Sequence, residues 1–198
     1  MGYLRRYADV ARSAAEGRGR PVAHHGSGLG KVEVRLKWDP SPLGESPRHL
    51  DIVAATYTAD DPYGEPDYVV HWDSRSPDGT INMNRHSKTG MGFGFVEVMS
   101  LEFDRLAERF ARVVVGVVIH QEPDPRTFGD MSNAGILIVE GYRELLVEDF
   151  TAVSGATATT LAEFLRDDTG GWRMHPMVRG SDNDPAGFMT EMGSVRHA

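Results

Sequence analysis

The chain has 198 residues, of which 40% are hydrophobic and 25% are charged, and this composition predicts one globular domain with a proper core. It contains no cysteine, which excludes disulfides, thiolate metal sites and cysteine nucleophiles and fits a reducing compartment. No apolar run approaches the roughly 20 residues that span a bilayer, and the N-terminus lacks the apolar core of a signal peptide. We therefore expect a soluble, cytoplasmic protein without a transmembrane segment.

Charge is distributed unevenly along the chain. Residues 1–37 contain eight Lys or Arg and three Asp or Glu, a net charge of +5, whereas the whole chain carries −8. The acidic remainder disfavours nucleic acid as a main ligand, because neutralisation of phosphates dominates such binding. The basic segment could instead contact an acidic protein or, peripherally, an anionic membrane surface.

The first predicted element is an N-terminal arm. Residues 3–16 have apolar side chains at helical spacing, which predicts a short amphipathic helix: Tyr3, Tyr7, Val10 and Ala14. The segment is short and Ala-rich, so it either docks on a surface or remains a frayed arm. Residues 17–30 are rich in Gly, Arg and His and resemble a linker. We therefore predict a basic helical arm and linker over residues 1–29.

Short strands with turn signals between them fill most of the chain. Residues 31–38 alternate apolar and charged side chains, as a half-buried strand does. Further strands are predicted at 50–58, 68–72, 97–101, 112–120, 135–140, 142–147 and 172–178. Residues 102–110 suggest a helical turn, and residues 157–166 fit either a short helix or a strand. This pattern predicts a mainly β protein, a β-sandwich over residues 30–180, with residues 181–198 as a polar tail.

Three local motifs are interpreted as structural features and not as binding or catalytic sites. The glycines before Lys31 lack the spacing of a phosphate-binding loop, and a strand follows them instead of a helix. Residues 73–79 are not an EF-hand loop, because Arg75 and Pro77 occupy ligand positions. His120 ends an apolar strand and is interpreted as a hydrogen-bonded rim residue. No nucleophile elbow or His-Glu-x-x-His helix is present, so we expect neither enzymatic activity nor a small-molecule substrate.

The order of several short motifs resembles the tellurium-resistance (TerD) domain family. The motifs are Arg35-Leu-Lys-Trp-Asp39, His49-Leu-Asp51, the segment 67–73, Ser76-Pro-Asp-Gly79, Thr89-Gly90 and Phe128-Gly-x-x-Ser-Asn-Ala134. The resemblance extends roughly over residues 30–178. It implies a two-sheet β-sandwich with a few short helices and a setting of bacterial stress and tellurite resistance, often in complexes near the membrane. It also implies a long loop whose carboxylates bind calcium.

Much of that calcium chemistry is missing from this sequence. Acidic residues expected in the loop are replaced by His86, Phe93, Phe95 and Val96. Four acidic residues remain, which the resemblance makes candidate ligands of a weak calcium site: Asp51, Asp67, Asp73 and Glu97. His49 and His86 also stand where carboxylates are expected. Two imidazoles beside carboxylates would suit zinc or nickel, although surface histidines arising by chance substitution are the alternative.

The same loop gains apolar side chains, namely Met91, Phe93 and Phe95. Exposed aromatic patches mark contact sites, so we predict a loop for protein partners or self-association. The alternative is that the aromatic rings fold back over the end of the sandwich. The sequence thus favours a non-enzymatic binding or assembly module whose calcium site is largely lost. A metal-binding stress-response protein is the second hypothesis.

Overall fold

Two five-stranded antiparallel sheets make up most of the computed structural model, which describes residues 28–194. The strands are β1 Lys31–Lys37, β2 Leu50–Thr58, β3 Tyr68–Val70, β4 Ile81–Arg85, β5 Glu97–Glu102, β6 Phe110–Ile119, β7 Gly135–Glu140, β8 Arg143–Glu148, β9 Ala158–Arg166 and β10 Trp172–Ser181. Two short 3₁₀ helices, Phe128–Asp130 and Thr151–Val153, and one α-helix, α1 at Pro185–Glu191, complete the described part of the chain. The mainly β sandwich predicted from the sequence is confirmed.

Sheet A has the strand order β4-β5-β1-β7-β8, and sheet B has the order β10-β9-β6-β2-β3. Alternation in β1 places Val32, Val34 and Leu36 in the core between the sheets. The central strand of sheet B, β6, is buried along almost its whole length because it is covered on both faces.

A second, smaller core lies on the outer face of sheet B. Helix α1 begins after Asp184, whose side chain accepts a hydrogen bond from the Gly187 amide. It places Phe188 and Met192 on apolar side chains of β2, β6, β9 and β10. Gly116 makes this contact possible, because a Cβ there would lie 2.5 Å from the Phe188 ring. Residues 181–194, expected as a polar tail, therefore comprise a strand end and a docked helix.

Several local expectations differ from the structure. In the segment 102–110, where a helical turn was expected, residues 103–109 form turns and no helix between strands β5 and β6. Residues 81–85 form a strand that the sequence did not predict. Residues 157–166, which fitted either element, contribute strand β9, because pairing with β6 and β10 on both sides outweighs local preference. The predicted N-terminal helix lies outside the described residues. Within residues 28–194 no helix is long and apolar enough to cross a membrane.

Candidate metal centre

Three histidine side chains converge on one buried carboxylate at the end of the sandwich where β1 and β6 finish and β2 begins. The Nε2 atoms of His49 and His120 lie 3.0 and 2.5 Å from Asp51 Oδ2. His86 Nε2 lies 2.9 Å from the other carboxylate oxygen, Oδ1. Asp51 is fully buried, whereas each imidazole retains some exposure, so the cluster opens to solvent on its histidine side.

Strand pairing explains why distant residues meet here. His49 and Asp51 flank Leu50 at the start of β2 and share one side of the strand, because side chains alternate. His120 follows β6, and its amide donates a hydrogen bond to the His49 carbonyl at 2.9 Å. His86 follows β4 and opens the Gly-rich loop that ends at Glu97. The loop therefore delivers one imidazole and one carboxylate from its two ends.

Glu97 is the second carboxylate of the cluster. Its Oε1 accepts a hydrogen bond from the Ile52 amide at 2.9 Å, while its Oε2 is buried without a hydrogen-bond partner. Burial, together with the neighbouring charge of Asp51, raises the pKa of Glu97 to about 9. Two buried carboxylates side by side repel each other when both are charged, so a proton or a cation between them lowers the free energy of the pair.

Asp51 responds in the opposite direction. Burial alone would raise its pKa, but hydrogen bonds from His120 and His49 outweigh burial and hold the pKa of Asp51 below its ordinary value. Its Oδ1 atom nevertheless has no partner with hydrogen-bond geometry, although His86 Nε2 is close. That oxygen and the imidazole nitrogen thus lie near each other without being bonded to each other.

The spacing of these atoms suits a shared cation. Two overlapping groups, His49–Asp51–His120 and Asp51–His86–Glu97, have ligand atoms within 4.8 Å of one another. His49 Nε2 and His86 Nε2 are 3.3 Å apart. Two ligands about 2.0–2.1 Å from a tetrahedral zinc ion are separated by ~3.3 Å. The donor set of imidazoles and carboxylates is the one that zinc and related transition metals use.

Calcium fits this cluster poorly. Calcium takes six to eight oxygen ligands, and imidazole nitrogens are not among its usual partners. The described residues that converge here offer two carboxylates, one of which already accepts a backbone hydrogen bond. The donor set therefore does not match the calcium loop that the sequence resemblance implies.

Aromatic rings surround the cluster. The imidazoles of His49 and His120 stack with centroids 4.0 Å apart and an interplanar angle of 11°. Trp72 packs edge-on against His120 at 4.5 Å. His71 lies against Trp72, and burial lowers the pKa of His71. These contacts fix the orientation of the imidazoles.

The structure brings together four of the six predicted ligands and leaves two outside. Asp51, Glu97, His49 and His86 belong to the cluster. Asp67 forms an ion pair with Arg109 at 2.9 Å, and Asp73 is exposed outside the converging group. His120 was interpreted as a rim residue, yet it makes the shortest contact with Asp51. The available signal was its place directly after a central strand, β6, whose neighbour β2 begins directly after His49.

The predicted interaction loop is largely exposed. Phe93 is 100% exposed and Met91 is 71% exposed, while Phe95 is half-buried. Val96, which the sequence grouped with these residues, is buried in the main core. The two outermost side chains therefore do not fold back over the sandwich.

A β-sandwich with three histidines and two carboxylates clustered at one end defines the structural class of this protein. A family model described as "TerD domain" matches residues 14–191. The chain therefore belongs to the TerD domain family.

Two known proteins are similar to the chain over most of their length. The chain is 26% identical over 176 residues to the uncharacterized protein YceE of Bacillus subtilis, covering 84% of this chain and 89% of YceE. It is 24% identical over 166 residues to the tellurium resistance protein TerD of an Alcaligenes species, covering 82% of this chain and 86% of that protein.

Two crystal structures share the fold at higher identity. The first, from Streptomyces coelicolor A3(2), is a homologue of telluride resistance protein TerD, with 60% identity and a TM-score of 0.84; the match covers 85% of this chain and all of that one. The second is the protein SAV2460, of unknown function, with 56% identity and a TM-score of 0.84; the match covers 86% of this chain and all of SAV2460.

Proposed function

We propose that this protein is a non-enzymatic binding module whose loop end holds a divalent transition metal, zinc being the best match. The observation that carries the proposal is the convergence of the Nε2 atoms of His49, His86 and His120 on the buried Asp51 carboxylate, at 2.5 to 3.0 Å. An arrangement of three imidazoles and a carboxylate offers donors that zinc prefers and calcium does not. The name of one relative, tellurium resistance protein TerD, supports a setting of bacterial tellurium resistance. The proposal places the protein in the cytoplasm, which the absence of cysteine favours.

Burial supports the same conclusion. Asp51 Oδ1 and Glu97 Oε2 are buried acceptors without hydrogen-bond partners, which costs free energy unless a cation or proton satisfies them. A metal ion bound by the imidazoles would neutralise the pair of carboxylates and fix the orientation of the rings. His49, His86, His120 and Asp51 would be the ligands, and Glu97 would supply the second negative charge.

Calorimetric titration of the chelator-treated full chain with zinc, nickel and calcium tests the proposal. We expect zinc to bind saturably and His86→Ala to weaken zinc binding at least tenfold, because one ligand is lost. His175→Ala is the matched control, since His175 is exposed and lies outside the cluster. Equal zinc affinity in wild type and His86→Ala, or no saturable zinc binding, would overturn the proposal.

Calcium provides the contrast. With weak affinity, 1 mM calcium would lie near or below its dissociation constant and add less than about 1 kcal/mol of stability. We therefore expect a small change in melting temperature with calcium. An increase above about 10 °C would contradict this expectation and restore calcium as the physiological ion.

A second function is supported by a separate observation, the exposure of Met91 and Phe93. Large apolar side chains in a solvent-facing loop favour contact with another protein or a second copy of the chain. Analytical ultracentrifugation of the full chain tests self-association, with Met91→Ser/Phe93→Ser expected to weaken it. Tyr142→Ser, which removes an exposed ring at another site, is the control. If the sedimentation coefficient is that of a monomer at every protein concentration, self-association through this loop is excluded.

A further inference from the structure

A cavity of about 560 Å³ lies on the outer face of sheet A, apart from the histidine cluster. The residues that line it include Lys37, Trp38, Phe95, Asn133, Leu137 and Val147. A cavity of this size falls within the range of small-molecule sites, ~300–1,000 Å³. Its volume therefore admits a small organic ligand.

The register of sheet A explains how the cavity forms. Lys37 on β1 pairs with Gly135 on β7, which has no side chain to fill the space beside the lysine. Leu137 is paired with Arg35 on one side and Val147 on the other. The Gly-rich loop that carries Phe95 forms the remaining wall. The result is an apolar floor beside the Lys37 ammonium, and Arg35 also lines the cavity.

Lys37 is the polar centre of the cavity. Only 8% of the residue is exposed, and its Nζ atom donates a hydrogen bond to Asn133 Oδ1 at 2.9 Å. Within residues 28–194 Lys37 forms no ion pair, and its hydrogen-bond partner is a neutral amide. Burial lowers the pKa of Lys37, and Asp39 counters this only in part. An ammonium has three N–H donors, and Asn133 accepts from one of them. An anion bound beside Lys37 would accept from the other donors and would favour the charged form of the lysine.

Asn133 is held in place for this contact. Its backbone has a φ of 52°, and its Nδ2 donates to Asp39 Oδ1 at 3.1 Å. The side-chain oxygen is thereby directed to Lys37. Asn133 belongs to the Ser-Asn-Ala motif and Asp39 to the Trp-Asp motif, so two separate sequence motifs converge on this lysine.

The remaining charges restrict the ligand. Arg35 Nη2 forms an ion pair with Glu33 Oε2 at 2.6 Å. Asp39 and Glu144 also line the cavity. Two carboxylates at the rim disfavour polyphosphates and other multiply charged anions by like-charge repulsion. Phe95, Leu137 and Val147 provide apolar and aromatic surface. The cavity therefore matches a single negative charge on a flat apolar body.

We propose that this cavity binds a small aromatic monocarboxylate, with its carboxylate on the Lys37 ammonium and its ring against Phe95 and Leu137. This site is independent of the metal proposed above. The sequence predicted no small-molecule substrate, and the present proposal concerns a bound ligand and no reaction.

The test uses 2-naphthoate and its uncharged analogue 2-naphthamide, titrated into the full chain in the presence of a chelator. The chelator excludes binding of the carboxylate to a metal in the histidine cluster. Calorimetry gives the affinities, and the NMR signal of the Trp38 indole N–H reports binding in the cavity. We expect 2-naphthoate to bind at least tenfold more tightly than 2-naphthamide.

Variants separate the charge from the shape of the cavity. Lys37→Met should reduce the preference for 2-naphthoate to less than twofold, and Val147→Glu at the exposed rim should weaken 2-naphthoate at least fivefold. Lys31→Met, on the same face of β1 but outside the cavity, should bind like wild type. The absence of a saturable Trp38 shift, or wild-type affinity for 2-naphthoate in Lys37→Met, would overturn the proposal. Because Val147 is partly exposed, Val147→Glu remains informative if Lys37→Met does not fold.

Discussion

Lys37 shows how a single buried charge links stability to pH. Burial lowers the pKa of this lysine, so the unfolded chain holds the proton more tightly than the folded protein does. Below the folded-state pKa the protein bears the desolvation cost of the ammonium. As the pH rises from the folded-state pKa towards the unfolded one, the folded protein sheds the proton first and its relative stability increases.

We therefore predict that Lys37→Met raises the free energy of unfolding at neutral pH and that this advantage shrinks as the pH becomes alkaline. Urea unfolding of wild type and variant across a series of pH values measures the difference. Lys31→Met controls for the loss of one positive charge, because Lys31 is exposed. An advantage that stays constant or grows with pH would contradict the prediction.

Gly90 occupies a position that no other residue can adopt without strain. Its φ is +73°, and a Cβ would lie 2.6 Å from Trp38 Nε1 and 2.9 Å from the Trp38 carbonyl oxygen. We expect Gly90→Ala to destabilise the fold by about 3 kcal/mol, combining backbone strain with the steric conflict. Gly94 has a φ of +69° but nothing within 4 Å, so Gly94→Ala should cost about 1 kcal/mol. Equal losses in chemical denaturation would show that the Trp38 contact is unimportant.

At the scale of single residues, the sequence predicted most but not all of the side chains that meet in the cluster of histidines and carboxylates. His49, His86, Asp51 and Glu97 were identified because the motifs of a family place ligands there. His120 was not identified as a ligand, because its proximity depends on the pairing of β6 with β2, which no local pattern specifies. Asp67 and Asp73 share the acidic character of ligands, yet the fold directs Asp67 to Arg109 and leaves Asp73 exposed.

Among the elements, helix α1 is the clearest departure from the sequence-based expectation. The segment is short and contains Gly and Thr, so local propensity gives little support for a helix. Its stability comes from docking, since Phe188 is 3% exposed against the outer face of sheet B. Residues 157–166 show the same effect in a strand, where pairing on both sides decides between two locally acceptable structures.

We predict that Phe188→Ala lowers the free energy of unfolding by about 3–5 kcal/mol, because removal of the ring leaves a cavity between α1 and β6. Urea denaturation followed by circular dichroism measures the change. Thr190→Ala is the matched control, because Thr190 is exposed on the same helix. A loss below about 1 kcal/mol for Phe188→Ala would mean that α1 adds little to the fold.

At the scale of the molecule, the uneven charge distribution predicts that the basic N-terminal segment contributes to association. Residues 1–37 carry a net charge of +5 within a chain of net charge −8. We predict that deletion of residues 1–19 leaves the sandwich folded but weakens self-association or partner binding, because the sandwich has its own core within residues 28–194. Light scattering of the full and truncated chains at matched concentration measures the mass. An unchanged mass would argue against an assembly role for the segment.

The three tryptophans lie in three different environments, so each can serve as an intrinsic fluorescence probe of its own site. Trp72 packs against His120 in the cluster, Trp38 lines the cavity of sheet A, and Trp172 is buried beside Phe103 in the core. Variants that retain one tryptophan at a time would give separate fluorescence signals for metal, organic ligand and unfolding. In a variant that retains only Trp72, zinc should change the fluorescence emission. The same zinc concentrations should leave the emission of a variant that retains only Trp172 unchanged. Occupancy of each site could then be followed without attaching a dye.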